Sequence, residues 1–338
     1  MKIAVVGCGG IGGVVAGVLA SKSLNVVCVE IIEESVQVIR EQGIKLEGKK
    51  GSFHARVSAV NSFTATKESF DIIIISVKSG ALDLAFRSAK DYLCEGGLIL
   101  TLQNGLEILT LSKLNQGVKI VAGAVGYNSI MLDFGRYFVT SNGGITIGNL
   151  TCATWDDLLL LRSIFEPHIK IETTENIIGV LWAKLLIVCG VTGLGGASGL
   201  LLGKLLRRRI SRKLFYKIIT EGVMVAHKLG VHIEKFGSTI NPEKFSEQKR
   251  SYPLFVRWLL LKIVGFKYKN LKSNIHQSLE KGQPTEIDYL NGKVVRLGEE
   301  TGISTPVNKK LMKIVKEIEE KKRVMDVKNL YEIGKSFS

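Results

Sequence analysis

The hydrophobic pattern of the first half of the chain switches repeatedly between two periods. Unbroken apolar runs, which are typical of strands buried on both faces of a parallel sheet, occur at Lys2–Val6, Val26–Glu30, Asp71–Val77 and Leu98–Leu102. Helical spacing follows at Ile32–Gln42 and Asp83–Leu93. We expect Gly43 and Gly96-Gly97 to end these two helices. Strands that alternate with helices predict a parallel sheet that is covered by helices.

Shorter strands are predicted around this core. Ile44–Glu47 and Phe53–Val60 have the pattern of a hairpin that turns at residues 48–51. Three strands that we expect to extend the same sheet, then a helix and a final strand, are predicted at Tyr127–Met131, Arg136–Thr140, Gly144–Gly148, Trp155–Phe165 and His168–Glu172.

Only helical spacing is evident in the second half of the chain. Leu181–Cys189 is apolar on every side, which predicts a buried helix, and the four glycines of Val191–Gly199 predict its end. Leu200–Leu229 has the pattern of one long amphipathic helix. We therefore expect two domains, an α/β domain over residues 1–173 and an all-helical C-terminal domain over residues 174–338.

A glycine-rich turn joins the first predicted strand to the helix after it. The turn has the sequence Gly7-Cys8-Gly9-Gly10-Ile11-Gly12, and Glu30 closes the next strand about twenty residues later. Gly7 permits a tight turn, Gly9 lets the backbone approach a pyrophosphate, and Gly12 lets the helix lie close to the strand. The N–H groups at the helix N-terminus favour an anion. The pattern predicts a Rossmann domain that binds a dinucleotide through these residues.

Two polar residues follow the next two buried strands. Lys78 comes at the end of Asp71–Val77, and Asn104 follows Leu98–Leu102 within a Gln-Asn-Gly turn. In open α/β sheets, ligands bind beyond the carboxyl ends of the strands. We therefore expect Lys78 and Asn104 to meet the cofactor or the substrate.

Lys184 and Glu286 are the candidate catalytic residues of the second half. Lys184 lies inside the apolar stretch Leu181–Cys189, where burial of an ammonium group is costly unless the group is paired or used. Such an environment lowers the pKa of a lysine toward the working range of a proton donor. Glu286 lies where an apolar stripe predicts the start of a helix that includes Asn291-Gly292, and a glycine inside a helix suggests close packing.

The formal net charge of +15 comes partly from two basic segments, at residues 204–213 and 249–272. No nucleic-acid-binding motif accompanies them, so we interpret them as solvated faces whose field attracts an anionic substrate and cofactor. Residues 3–20 are apolar but contain the glycine motif, so they do not predict a membrane segment. The sequence predicts a cytoplasmic protein with no nucleic-acid or membrane partner, and no function is predicted for residues 235–272.

The cysteines give no sign of a metal site or of a disulfide framework. Their spacing contains no CxxC pair, and each cysteine lies in an apolar or glycine-rich stretch, at Cys8, Cys28, Cys94, Cys152 and Cys189. We interpret them as structural thiols in a reducing compartment.

The chain resembles the ketopantoate reductase family. The motifs that match, in the family's order, are Gly7–Gly12, Ser76-Val77-Lys78, Gln103-Asn104-Gly105, Leu181-Trp182-Ala183-Lys184 and Pro284–Gly292. The resemblance implies a Rossmann domain followed by a helical domain, and reduction of 2-dehydropantoate (ketopantoate) to pantoate or of a closely related small anionic 2-oxo acid. It implies that a nicotinamide cofactor supplies the hydride.

The resemblance also implies roles for single residues. Lys184 corresponds to the general acid that protonates the carbonyl oxygen, and Glu286 to a residue that binds substrate, borders the cofactor and affects the lysine. Lys78 corresponds to a cofactor-binding position, and Asn104 to one that meets both cofactor and substrate. The remaining substrate-binding positions implied by the family are Val188, Thr192, Ser273 and Asn274.

Two positions differ from the family's common pattern. Val188 and Thr192 stand where asparagines are common, which leaves a paralogous reductase of another 2-oxo acid or hydroxy acid as an alternative. Glu30 is followed by Ile31 where an arginine is common, so we expect NADH to be preferred to NADPH, unless Lys49 or Lys50 reaches the cofactor's phosphate. A non-catalytic NADH-sensing regulator is a further alternative for the function. For the oligomeric state, a homodimer formed through the helical domain is left open.

Overall fold

The computed structural model describes residues 1–237, 240–247 and 252–335. The described chain separates into two compact units, Met1–Ile177 and Ile178–Ser338. Lys249 and Arg250, which belong to the second basic segment, lie outside the described residues.

The strands of the first unit form two sheets. In chain order they are β1 Lys2–Val6, β2 Asn25–Val29, β3 Ile44–Gly48, β4 Phe53–Ala55, β5 Ser58–Val60, β6 Phe70–Ile75, β7 Leu93–Thr101, β8 Lys119–Val125, β9 Ser129–Asp133, β10 Arg136–Val139, β11 Ile145–Asn149 and β12 Ile171–Thr173. The α-helices of this unit are α1 Gly12–Ser21, α2 Glu33–Gln42, α3 Leu82–Lys90, α4 Glu107–Leu114 and α5 Trp155–Phe165.

The main sheet has the strand order β12-β11-β8-β7-β6-β1-β2-β5. Neighbouring strands are parallel except β8 and β11, which are antiparallel. The four isoleucines of β6, Ile72–Ile75, lie between β1 and β7 and are almost fully buried. This is the parallel, helix-covered sheet that the unbroken apolar runs predict, and the Rossmann expectation is confirmed.

The second sheet was not predicted. Its order is β4-β3-β10-β9, so β9 and β10 pair with the hairpin β3–β4 instead of extending the main sheet. The expected strand Phe53–Val60 divides at Arg56-Val57, because β5 pairs with β2 of the main sheet. Local alternation predicts that a strand exists, whereas its partner depends on contacts between distant residues.

The expected helix end at Gly96-Gly97 was also wrong. Helix α3 ends at Lys90, and both glycines lie inside β7, which begins at Leu93. The pairing of β6 and β7 shifts register between Phe70 and Ile72, so this part of β7 is irregular. Gly96 has a φ of +73°, a conformation that glycine adopts without steric cost.

The described part of the second unit contains helices and no strand. They are α6 Ile177–Val188, whose first residue ends the first unit, α7 Leu194–Ser198, α8 Leu202–Arg207, α9 Arg209–Lys228, α10 Pro242–Phe245, α11 Leu254–Lys267, α12 Asn274–Glu280, α13 Asn291–Thr301, α14 Pro306–Glu319 and α15 Lys328–Lys335. The predicted helix Leu200–Leu229 is two helices, since Arg208 has an extended backbone between α8 and α9.

Helix α6 is not ended by the first glycines of Val191–Gly199, and the expected end comes only at the last of them, Gly199. A π-helical turn at Cys189–Gly193 joins it to α7, and Gly199, with a φ of +67°, ends the whole run. Gly190 and Gly193 are needed for packing: an added Cβ would lie 2.4 Å from the Phe215 ring and 2.8 Å from Leu311, respectively. Because these positions carry no side chain, α9 and α14 can pack closely against this helical run.

Ile177–Ser198 is the helical run in the described chain that is long and apolar enough to cross a membrane. However, 72% of its most apolar window is buried inside the protein. This is the pattern of a core helix, as the all-round apolar sequence predicts.

A buried polar network holds α13 and α14 to α9. The carboxylate of Glu221 accepts hydrogen bonds from the backbone N–H groups of Val307 (2.8 Å) and Asn308 (3.0 Å), at the N-terminus of α14. The Asn308 amide donates to Glu221 (2.7 Å) and accepts from the Asn291 amide (2.8 Å). A carboxylate at a helix N-terminus satisfies free N–H groups and the helix dipole together.

We expect Glu221→Ala to lower the free energy of unfolding of the helical unit by about 3 kcal/mol, because buried donors would lose a charged acceptor. Glu299→Ala is the matched control. Glu299 pairs with Lys309 at the surface, and an exposed pair contributes below about 1 kcal/mol. Urea denaturation followed by tryptophan fluorescence measures both changes. Equal losses in the two variants would contradict the importance of this network.

Candidate functional site

The glycine-rich turn of the first unit has the geometry of a phosphate-binding loop. Gly7 has a φ of +83°, and an added Cβ there would lie 2.9 Å from Val77. At Gly12 an added Cβ would lie 1.9 Å from the carbonyl oxygen of Gly7, so only glycine lets α1 start this close to β1. At Gly9 nothing lies within 4 Å of an added Cβ. Gly9 therefore leaves open the space above the loop that a side chain would fill.

The start of α1 completes this site. The helix begins at Gly12 after Ile11, and its first turn contains no acidic residue. The amide N–H groups of such a turn attract phosphate oxygens. The open space at Gly9 and the uncapped helix start fit the pyrophosphate of a dinucleotide, and Gly7, Cys8, Gly9, Gly10, Ile11 and Gly12 would hold it.

Glu30 is built into the same loop. Its side chain is 9% exposed, and its carboxylate accepts hydrogen bonds from the N–H groups of Cys8 (2.7 Å) and Ile32 (3.2 Å). A carboxylate has about four acceptor positions, so two remain for ribose hydroxyls. The side chain of the neighbouring Ile31 is 87% exposed, so it contributes little packing to the fold at this position.

The second sheet also holds the glycine-rich loop, through residues that the sequence did not identify. Tyr137 of β10 donates a hydrogen bond to the carbonyl oxygen of Cys8 (2.6 Å), and Ser129 of β9 donates to that of Gly10 (2.5 Å). Burial raises the pKa of the Tyr137 hydroxyl, which therefore remains a donor. The alternating burial of β10 indicates that Tyr137 points inward, but its partner is distant in sequence.

Lys78 and Asn104 lie beyond neighbouring strands, as expected. Ile75, at the end of β6, pairs with Thr101 at the end of β7. The hydroxyl of Ser79 donates to the carbonyl oxygen of Asn104 (2.9 Å) and thus ties the two loops together. Lys78 is exposed and Asn104 is half-buried. Both side chains are therefore at the sheet edge where α/β proteins bind ligands.

The two lysines of the hairpin β3–β4 differ in their surroundings. Lys49 is exposed, whereas Lys50 is buried with its Nζ atom 5.5 Å from the centre of the Tyr127 ring. Burial lowers the pKa of Lys50. Lys50 is thus held against an aromatic face of the first unit.

Lys184 of α6 is a buried cation of the second unit. Its side chain is 7% exposed, and burial lowers its pKa to about 8, an effect that the Glu286 carboxylate partly offsets. The Nζ atom lies 5.9 Å from the centre of the Phe236 ring. Phe236 belongs to residues 235–272, for which the sequence predicted no function. An amine with a pKa near 8 can both give and take a proton at neutral pH.

Glu286 does not begin a helix. It starts a turn at residues 286–290 in which the N–H groups of Tyr289 and Leu290 donate to its carbonyl oxygen, and α13 starts only at Asn291. Gly292 is therefore at a helix start, and an added Cβ would lie 3.0 Å from the sulfur of Met312. The buried Asn291, which directly follows the turn, donates a hydrogen bond to Asn308 and anchors the end of the turn.

The proposed substrate-binding residues are only partly brought together. The Thr192 hydroxyl donates to the carbonyl oxygen of Val188 (2.8 Å), within the helical run. The Ser273 hydroxyl donates to the carbonyl oxygen of Thr192 (3.2 Å) and accepts from the N–H of His276 (3.2 Å). Val188, Thr192 and Ser273 therefore form a cluster, whereas Asn274 is exposed at the start of α12.

The described cysteines form no disulfide bond. All five cysteines are free thiols; Cys8, Cys28 and Cys189 are buried, but Cys152 is exposed, so the expectation of a structural thiol was wrong there. Residues 1–237, 240–247 and 252–335 contain no group of three or more His, Cys, Asp or Glu side chains that could hold a metal ion.

Comparison with known proteins identifies both units. Residues 3–151 match the family "Ketopantoate reductase PanE/ApbA", and residues 176–319 match "Ketopantoate reductase PanE/ApbA C terminal". The 2-dehydropantoate 2-reductase of Pyrococcus horikoshii is 25% identical over 321 residues, which cover 94% of this chain and 97% of the relative. The enzyme of the same name from Halobacterium salinarum is 24% identical and covers 94% and 98%.

Solved structures agree with this assignment. A PanE/ApbA family ketopantoate reductase from Ralstonia eutropha superposes with a TM-score of 0.81 at 27% identity, covering 95% of this chain and 99% of that one. A ternary structure of D-mandelate dehydrogenase with NADH and anilino(oxo)acetate has a TM-score of 0.82 at 19% identity, covering 95% and 99%, and shows the shared fold. The chain belongs to the ketopantoate reductase family of NAD(P)-dependent oxidoreductases.

Proposed function

We propose that this protein reduces a small anionic 2-oxo acid to the 2-hydroxy acid, with Lys184 as the general acid. The observation that carries the proposal is the buried Lys184, whose pKa of about 8 is set by burial and by Glu286. A bound nicotinamide cofactor would supply the hydride to the carbonyl carbon. Negative charge then develops on the carbonyl oxygen, and Lys184 stabilises it and gives it a proton.

Glu286 and Phe236 would keep Lys184 in its working state. The Glu286 carboxylate favours the protonated amine and thereby opposes the effect of burial. The aromatic face of Phe236 also favours the cation, at 5.9 Å from Nζ. Together they would keep a proton on Lys184 until the carbonyl oxygen becomes basic, and Glu286 would also accept a hydrogen bond from the substrate.

The first candidate substrate is 2-dehydropantoate, because the similar enzymes from Pyrococcus horikoshii and Halobacterium salinarum carry that name. Val188 favours a second candidate. Its side chain is half-buried and cannot hydrogen-bond a substrate hydroxyl, and the Thr192 hydroxyl already donates within the helix. A 2-oxo acid with an apolar branch in place of the hydroxyl of 2-dehydropantoate would suit this cluster better.

The cofactor would be bound by the glycine-rich loop, Glu30, Lys78 and Asn104. The amides of the loop suit the pyrophosphate, and Glu30 suits the ribose hydroxyls. A 2′-phosphate near Glu30 would face a like charge, so we propose that NADH is preferred to NADPH. Ile31 is exposed, and its side chain offers that phosphate no hydrogen-bond donor.

We also propose that the reaction takes place in the cytoplasm.

The reaction is tested by oxidation of NADH in the presence of 2-dehydropantoate and of 2-oxo acids with apolar branches. We expect Lys184→Met to lower turnover by about 10²–10⁴-fold, the usual loss for a positioned proton donor, while NADH binding stays unchanged. Methionine fills the buried volume, and Lys309→Met, at an exposed lysine, is the matched control. Near wild-type turnover of Lys184→Met would refute the proposed role.

The pH dependence follows from the pKa of Lys184. The proton donor is lost above its pKa, so kcat/KM for reduction should fall as the pH rises through about 8. Because Glu286 raises this pKa, Glu286→Gln should move the falling limb to lower pH. Asp288→Asn is the control, since Asp288 pairs with Lys316 (3.1 Å). A limb that stays in place in Glu286→Gln would separate Glu286 from Lys184.

The cofactor preference is tested by steady-state kinetics with NADH and NADPH. We expect kcat/KM to be higher with NADH, and Ile31→Arg to shift the ratio toward NADPH because it adds a donor for the 2′-phosphate. Ile31→Gln, an uncharged side chain of similar reach, is the control. Glu30 is left intact, because removing it would also remove the acceptor for the Cys8 N–H. A preference of the unaltered protein for NADPH would refute the argument.

A further inference from the structure

Helix α11 presents large apolar side chains to solvent. We call these side chains the α11 face: Leu254, Phe255, Trp258, Leu259, Ile263 and Phe266. Phe255 and Phe266, near the two ends, are 69% and 75% exposed. Phe255, Leu259, Ile263 and Phe266 recur at helical spacing, so they lie along one side of the helix. An apolar stripe on a surface helix normally packs onto a core, whereas this one faces outward.

The opposite side of α11 fixes this orientation. Leu261, Val264 and Gly265 are buried, and an added Cβ on Gly203 of α8 would lie 2.9 Å from the Gly265 carbonyl oxygen. Arg257 is buried and donates to the carbonyl oxygens of Tyr252 (2.8 Å) and Phe245 (3.2 Å). The helix is therefore attached to the unit through one face. Rotating the helix to bury the α11 face would break these contacts.

The charged residues of α11 and of the loop that follows it are all positive. Lys262, Lys267 and Lys269 are exposed, and no acidic residue occurs within residues 252–279 or within residues 200–220, which include α8. Lys262 lies 4.9 Å from the centre of the Trp258 ring, and Lys267 lies 5.3 Å from that of Tyr268. Lysines mixed with aromatic and aliphatic side chains are typical of helices that lie in the interface of an anionic bilayer.

We propose that the α11 face docks the protein onto the surface of an anionic lipid bilayer. The apolar side chains would enter the boundary between headgroups and acyl chains, and the lysines would meet acidic headgroups. A helix of 14 residues is about 21 Å long, too short to cross a bilayer, so it lies on the surface. This interaction is separate from the proposed reaction, and it differs from the sequence expectation of no membrane partner, which stays a prediction.

Charge argues against a second copy of the chain as the occupant, and apolar surface argues against a nucleic acid. A second copy docked face to face would bring the two lysine sets together with no carboxylate in the segment to neutralise them. A nucleic acid would meet the lysines but would leave the large aliphatic and aromatic side chains without a partner. An anionic bilayer offers both negative charge and an apolar interior.

The test is co-sedimentation of the full chain with vesicles of phosphatidylcholine, alone or mixed with an equal part of phosphatidylglycerol. We expect the mixed vesicles to bind at least about tenfold more protein, with binding that weakens as salt is added. Lys262→Gln with Lys267→Gln should lower the partition coefficient about 25-fold, or about fivefold for each lysine. Phe255→Ser with Phe266→Ser should abolish binding.

Matched controls come from the first unit, where Leu84 and Leu114 are similarly exposed and Lys90 and Lys113 lie at the surface. Leu84→Ser with Leu114→Ser, and Lys90→Gln with Lys113→Gln, should bind the mixed vesicles like the unaltered protein. In a Trp155→Phe background, Trp258 emission should shift to shorter wavelength on binding, because the remaining Trp182 is already buried.

Three results would overturn the proposal. The first is failure of the unaltered protein to bind the mixed vesicles. The second is loss of binding in the lysine variant but not in the phenylalanine variant, which would indicate a basic patch only. The third is a dimer in sedimentation equilibrium that Phe255→Ser with Phe266→Ser dissociates, which would assign the face to a second copy.

Discussion

The chemistry proposed for this protein depends on the cost of keeping one ammonium group out of water. Lys184 lies in an apolar helix, and its burial weakens the hold on its proton. A fully exposed lysine would keep its proton too firmly to transfer it well at neutral pH, and a buried lysine without a neighbour would lose it. Glu286 and Phe236 hold the group between these limits. The proposed proton donation therefore depends on where the turn that begins at Glu286 is held.

That turn is held by the packing of the helical unit. Glu221 joins α9 to the N-terminus of α14, Asn308 continues the chain of hydrogen bonds, and Asn291 ties the start of α13 to it. The π-helical turn at Cys189–Gly193 lies beside the same residues, since an added Cβ on Gly193 would be 3.0 Å from Asn291. A π-helical turn often accompanies a functional site, because it redirects the side chains that follow. Thr192, one of the proposed substrate-binding residues, lies within this turn.

Features that depend on neighbouring residues could be predicted from the sequence, and features that depend on distant contacts could not. The unbroken apolar runs indicate β6 and its neighbours, and the glycine spacing indicates the dinucleotide loop. Lys184 is conspicuous because a lysine is rare in an apolar helix. By contrast, the second sheet, the hydrogen bond from Tyr137 to Cys8 and the approach of Phe236 to Lys184 join residues far apart in the chain. The sequence indicates that the glycines after Lys184 end the helical run, but it does not reveal that Gly190 and Gly193 stay within the run because Phe215 and Leu311 pack against them.

Glu30 shows why a residue's role in folding and its role in binding cannot be separated. Its carboxylate accepts the N–H of Cys8, so the residue that would select the ribose also supports the loop that would hold the pyrophosphate. Tyr137 holds the carbonyl oxygen of the same Cys8 from the other side. The two peptide groups that flank the Cα atom of Cys8 are thus both fixed, one through its N–H and the other through its carbonyl oxygen, which leaves little freedom for the loop to adapt to a larger cofactor. A change in cofactor preference is therefore easier to obtain at Ile31, which is exposed and supports nothing, than at Glu30.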